Sequence, residues 1–154
     1  MVWQQGPDGA VIFTNDAWFQ ATQLPRDASS FEPTAWKRVV HPDDFTRAFD
    51  ILNEAVRMQS AYALEYRIRP LGGTDDAYRW YYAKAAPQFA KGIFVGWLGS
   101  VVDIQETRSR EDAERRLREE ALRRENEFKA LGEAVPQILW SADASGSIDW
   151  YNHG

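Results

Sequence analysis

Two histidines and two adjacent aspartate pairs are the residues of this chain whose types could do chemistry: His41, His153, Asp43-Asp44 and Asp75-Asp76. Paired carboxylates perform general acid-base work only when both reach one reacting atom, and neighbours on a helix diverge by ~100°. Asp43 and Asp44 follow His41-Pro42, which reads as a helix start, so they are expected at the positive end of its dipole. Asp75 and Asp76 follow Gly72-Gly73, where aspartate is a common turn residue. Haem would need an axial ligand, usually histidine, on a cavity wall. His41 precedes a proline and is expected to cap or pack, and His153 lies near the end of the sequence. Zero cysteines exclude disulfides, thiolate catalysis, iron-sulfur clusters and light-driven flavin-thiol adducts. No Ser-His-Asp set, phosphate-binding glycine loop or metal-ligand spacing is present. Catalysis by this chain is therefore not expected.

The composition narrows the class further. With 154 residues, 44% apolar and 14% aromatic, the chain can pack one ordinary domain with an appendage. A net charge of -5 argues against a nucleic-acid surface, which needs a basic stripe. No run of ~18 apolar residues and no leader pattern occur. The expectation is a cytoplasmic protein without membrane contact in this segment.

Around the candidate residues, VWQQGPDGAVIFTN reads as two short strands joined by a Pro-Asp-Gly turn. Asn15 and Asp16 offer a cap for a short helix. Residues 36–40 read as one helical turn. From His41 a longer helix begins, with Phe45, Ala48, Phe49, Leu52 and Val56 at helical spacing on one buried face. Tyr62, Leu64, Tyr66 and Ile68 then alternate with Ala63, Glu65, Arg67 and Arg69, a strand with one dry and one wet face. Residues 71–76 read as a hairpin turn, residues 78–88 as the next strand, and residues 93–104 as the last. The expectation is an α+β domain with one five-stranded antiparallel sheet and its helices on one face.

The opening pattern returns at the end of the chain. Trp3, Gly9 and Asn15 each recur 137 positions later as Trp140, Gly146 and Asn152, while Val2, Val11 and Phe13 meet Leu139, Ile148 and Trp150. This register predicts strands at residues 138–141 and 147–151 and the truncated start of a second copy of the module.

The motifs VVHPDD, LEYRIRPLGG into YRWYYAKAAP, and GWLGSVVDIQE resemble, in order and spacing, the PAS superfamily with its trailing PAC segment. The resemblance covers residues 2–106, with Gln105 standing where the family often has threonine. It implies a PAS/PAC sensor domain over 1–106, a helical linker over 107–134 and the beginning of a second PAS domain over 135–154. It also implies a cavity under the inner sheet face, with Trp3, Gln5, Leu64, Tyr66, Tyr81, Trp97 and Val101 pointing inward. Phe45 and Phe49 join them as cavity-lining candidates. Large aromatics can fill such a space outright, so two readings stay open. One is a non-catalytic sensory and relay module with a filled core, within a sensor histidine kinase of a two-component system or a cyclic-dinucleotide enzyme. The other is a sensor binding a metabolite, a non-covalent flavin or, less readily, haem. The cofactor is left undefined and none is required. The effector domain would lie downstream in the same polypeptide.

On the opposite sheet face, parity places Trp80, Tyr82, Leu98 and Val102 in one patch that a helix of the connector or a second subunit is expected to cover. Asp103, Ile104 and Gln105 form the expected signal hinge. Beyond it, residues 105–127 carry eight acids and seven bases, arranged as acid-first pairs four apart such as Glu111-Arg115 and Glu120-Arg124, which favour a solvated helix. Ala113, Leu117, Ala121, Phe128, Leu131 and Val135 fall on one stripe interrupted by Glu120 and Arg124. That seam suits either a lone spacer or a short dimeric signalling helix.

Overall fold

The computed structural model describes residues 1–32, 34–134, 138 and 140–151. Val135, Leu139, Asn152 and His153, named above, lie outside the described residues. The chain divides into two compact units, Met1–Arg108 and Ser109–Gly154.

The first unit opens with β1 (Val2–Gln5) and β2 (Val11–Thr14). Their turn is closed by Gly9 N donating to the Gly6 carbonyl, with Gly9 at φ +82°, a conformation natural to glycine. Helix α1 (Asp16–Thr22) follows, with Asn15 at its N-cap position. The Asn15 side chain does not cap, however; its Oδ1 accepts from Val2 N at 3.1 Å and pins the start of β1 instead. A 3-10 turn at Ala35–Arg38 leads into α2 (Pro42–Met58), where the His41 imidazole caps by accepting from Asp43 N.

Three long strands complete the sheet: β3 (Tyr62–Ile68), β4 (Arg79–Ala90) and β5 (Ile93–Asp103). The order is β2-β1-β5-β4-β3, antiparallel throughout. The five-stranded α+β architecture expected from the sequence is therefore the one observed. The turn placed at residues 71–76 is longer than a tight hairpin and contains a 3-10 turn at Asp75–Ala77. Alternation works as physics requires: Tyr66 and Ile68 are buried on β3, whereas Ala63 is exposed. The edge of β3 is partly covered by residues 39–41, since His41 N donates to the Arg67 carbonyl and Arg69 N to the Val39 carbonyl.

Two apolar clusters form the core. One gathers Phe19, Leu24, Val39, Val40, Tyr66, Ile68, Tyr81, Ala83 and Val101; the other gathers Ala55 and Ala85 around Trp97.

Helix α3 (Gln105–Ala134) follows β5 directly and is about 45 Å long at 1.5 Å per residue. No helix among the described residues is long and apolar enough to cross a membrane. Glu120 and Arg124 pair at 2.6 Å as expected from their spacing, but Arg115 turns to Asp112 at 2.8 Å rather than to Glu111. In the second unit, β6 (Trp140–Ala142) and β7 (Ile148–Tyr151) form a two-stranded sheet. Trp150 is half-buried: its ring lies 5.8 Å from Phe128, and a Cβ on Gly132 would fall 2.3 Å from it.

Candidate functional site

Beneath the inner face of the sheet lies a cavity of about 90 Å³. Every layer contributes a wall. Trp3 and Gln5 come from β1, Val11 and Thr14 from β2, Trp18 from α1, Ala48 and Leu52 from α2, Leu64 and Tyr66 from β3, and Val101 from β5. Trp3 can lie flat against the sheet because its neighbour on β5 is Gly99, where a Cβ would fall 2.3 Å from the indole ring.

The polar atoms are few and mostly occupied. Gln5, only 4% exposed, donates from Nε2 to the Gly9 carbonyl at 2.9 Å and accepts from the Tyr62 hydroxyl at 2.5 Å. Burial pushes the Tyr62 and Tyr66 hydroxyls well above the usual tyrosine range, so both remain neutral proton carriers. The Tyr66 hydroxyl makes no hydrogen bond among the described residues, although its side chain is buried and borders the cavity. Charges stay at the margin: Glu32 is exposed, and the Met1 ammonium donates to the Val101 carbonyl at 2.7 Å.

Five of the residues expected at the cavity border it: Trp3, Gln5, Leu64, Tyr66 and Val101. The other four sit elsewhere, for identifiable reasons. Trp97 is fully enclosed at the far end of the sheet, against Phe94 at 4.6 Å, with its indole Nε1 donating to the Ser60 carbonyl at 2.8 Å. Tyr81 belongs to the main core cluster, and burial raises its hydroxyl pKa. Phe45 packs on Trp36 at 4.8 Å, behind the wall rather than in it, and stacks on Phe49 at 5.6 Å. Trp18, Trp36, Leu52 and Tyr62 border the cavity without having been singled out. Leu52 and Tyr62 carried a signal in their helical and alternating patterns, whereas Trp18 and Trp36 come from short helical segments whose periodicity is too brief to read.

His41 is not among the residues bordering the cavity; its ring packs 4.6 Å from Tyr78 while capping α2.

The residues proposed for an interaction patch differ in exposure. Leu98 and Val102 are about half exposed, and Leu117 on α3 is 67% exposed. Tyr82 and Trp80 are half-buried. Trp80 is covered from within its own unit: the Arg67 guanidinium lies 5.1 Å from its ring and that of Arg108, in the first helical turn of α3, lies 4.1 Å away. Where β5 meets α3, Asp103 Oδ1 accepts from Gln105 N at 2.9 Å, and Asp103 Oδ2 accepts from Arg79 at 2.7 Å. Ile104 N donates to the Trp80 carbonyl at 2.9 Å, and Gln105 Oε1 accepts from Trp80 N at 3.0 Å. Gln105 thus fastens the start of α3 back onto β4.

The PAS fold family matches residues 11–101, more than half of the chain. The uncharacterized protein y4lL of Sinorhizobium fredii is 25% identical over 151 residues, covering 97% of this chain and 17% of that protein. The peroxide stress-activated histidine kinase mak1 of Schizosaccharomyces pombe is 26% identical over 116 residues, covering 73% of this chain and 7% of the kinase. The chain thus spans less than a fifth of either relative. Among solved structures, a sensory box histidine kinase/response regulator from Burkholderia thailandensis superposes with a TM-score of 0.55 at 24% identity, covering 79% of this chain and 89% of that one. The PAS domain of a protein from Colwellia psychrerythraea gives 0.52 at 19% identity, covering 68% and 86%.

Proposed function

Since the chain belongs to the PAS fold family, we propose that it is a sensory and relay module of a larger signalling protein, without catalysis of its own. The observation that carries this reading is the position of β5. Val101 borders the cavity, and two residues later Asp103 caps α3. One rigid strand therefore touches both the space where a stimulus would act and the helix that would report it. Signalling needs only a differential preference between two arrangements of that junction. The length of the relatives supports an effector elsewhere in the same polypeptide, of the sensor histidine kinase or cyclic-dinucleotide enzyme kind, working in the cytoplasm. In this scheme residues 1–106 sense, residues 107–134 link, and residues 135–154 begin a second PAS domain. Leu98 and Val102, with Trp80 and Tyr82 beside them, offer a surface for a second copy of the chain, and Leu117 offers a separate one on the linker.

Filling the cavity tests this reading. Ala48→Leu places added bulk beside Leu52, and overpacking of this kind displaces its surroundings at ~1–3 kcal/mol. Hydrogen exchange at residues 103–108 is expected to change; unchanged exchange there, with the added side chain inside the cavity, would contradict the relay.

A second reading, direct sensing of a small molecule, is favoured by one observation: Tyr66, a buried residue that borders the cavity, has a hydroxyl with a hydrogen bond to give. The walls suit a compact, uncharged compound with one acceptor. Native mass measurement should then find such a compound retained by the parent protein and reduced in Tyr66→Phe. Equal retention by both proteins would argue against this role for Tyr66.

A further inference from the structure

A second path links the cavity side of the sheet to α3, and it passes around the edge strand rather than along β5. Asp44, Ala48 and Leu52 fall four residues apart on α2, hence on one stripe of that helix. Ala48 and Leu52 border the cavity, while Asp44, 6% exposed, grips Arg67. Its Oδ2 accepts from the Arg67 backbone N at 2.9 Å and from Nε at 2.8 Å, and its Oδ1 accepts from Nη2 at 2.9 Å. These bonds, foremost those from the Arg67 side chain, hold the Asp44 carboxyl below the usual carboxylate range. A two-point grip fixes the plane of the guanidinium, not only its position.

Arg67 in turn lies over Trp80, its register partner on β4. Arg108 lies over the same ring and is ion-paired to Glu65, two residues before Arg67 on the same face of β3. Two like-charged guanidinium groups share one indole, and each is held by its own carboxylate. Trp80 is also the residue whose backbone bonds Ile104 and Gln105. Any movement of the ring therefore acts on the first turn of α3 through Arg108 and through the hinge together.

We propose that Asp44, Arg67, Trp80 and Arg108 form a lever that transmits a displacement of α2 around the edge of the sheet to the start of α3. Asp44 is the positioning residue at its cavity end, and Trp80 is its fulcrum. The lever has two arrangements: Arg108 seated on Trp80, or released with the first turn of α3 loosened. The sensory reading supplies only the cause that moves α2.

Hydrogen exchange of the whole chain, read at the amides of residues 104, 105 and 108, tests the lever. Asp44→Asn should accelerate those amides about five- to tenfold while the amides in the middle of β4 and β5 stay protected. In a Trp80→Leu background, the same substitution should add less than about twofold, because the coupling energy resides in the stack. If Asp44→Asn perturbs the fold itself, Arg67→Lys serves in its place: it keeps a cation near Asp44 but loses the fork and the stacking plane. Equal acceleration with and without Trp80, or no acceleration in either background, would overturn the proposal. Ala48→Leu in the same experiment separates the two ideas. Should it alter α3 while the Asp44 and Arg67 variants do not, the relay along β5 stands and the lever falls.

Discussion

Shifted by 137 residues, β1 and β2 fall on β6 and β7 pair for pair. Trp3 opposite Thr14 becomes Trp140 opposite Tyr151, Gln4 opposite Phe13 becomes Ser141 opposite Trp150, and Gln5 opposite Val11 becomes Ala142 opposite Ile148. Both hairpins shift register at the same step, and both turn on a glycine of positive φ, Gly9 at +82° and Gly146 at +89°. Their turns are closed alike, Gly9 N on the Gly6 carbonyl and Gly146 N on the Asp143 carbonyl, each at 3.0 Å. The surroundings differ completely. Trp3 lies across Gly99 and borders the cavity, whereas Trp140 is 63% exposed; Val11 is half-buried, whereas Ile148 is 62% exposed. Local sequence is enough to make this hairpin, bulge included. What turns it into the wall of a site is β5, with which β1 pairs over residues 2–5.

The sharpest way to separate the two hairpins is to damage β5 alone. Trp97→Ala is expected to destabilise the first unit by ~3–5 kcal/mol in urea unfolding, leaving β6 and β7 unaffected. A loss below ~1 kcal/mol would mean that Trp97 does not hold the first hairpin's partner strand.

Acid gives the next contrast. Because its folded pKa is depressed, Asp44 contributes stability in full above the ordinary aspartate value of ~3.9, and that contribution is lost as pH falls through the lower folded pKa. Asp44→Asn should cost ~1.5–3 kcal/mol at neutral pH and flatten this acid limb of the first unit. In the second unit the Asp143 carboxyl is also lowered, by hydrogen bonds from Ser145 and Ser147. It is fully exposed, so Asp143→Asn should leave the acid limb of the first unit unchanged. An identical acid limb in the Asp44→Asn protein would contradict the assignment.

Matched truncations follow. Trp3→Ala should cost ~2 kcal/mol, since the ring is about half-buried, while Trp140→Ala should stay within ~0.5 kcal/mol. Equal losses in urea unfolding would show that the second hairpin has found a burial surface of its own. The smallest expected effect is at Gly132, where Trp150 docks. Gly132→Ala gains up to ~1 kcal/mol of helix propensity but pushes Trp150 away. The melting of α3 should barely change, while proteolysis within residues 140–151 becomes faster; slower cleavage would mean that the ring does not rest on Gly132.

Alternation from Tyr62 to Ile68, the His41-Pro42 helix start and the 137-residue register all follow from local rules, and each maps onto an observed element. The cavity was only half legible. Parity puts Trp97 and Tyr81 on the inner face, but parity cannot say at which point along a strand a helix closes over the sheet. Asp44 looked like a helix-dipole residue, and nothing local connects it with Arg67, 23 positions away. Only the pairing of residues 39–41 with the edge of β3 brings them together. Trp80 looked like a surface awaiting a partner because the arginines that cover it are separated from it in sequence.

A hairpin of this pattern becomes a cavity wall only when β5 completes it. Hydrogen exchange on the intact chain tests that most directly. The amides paired between β1 and β5 should exchange only with unfolding of the first unit, whereas those between β6 and β7 should exchange orders of magnitude faster, as expected of a two-stranded sheet on its own. Equal protection of the two hairpins would contradict the account.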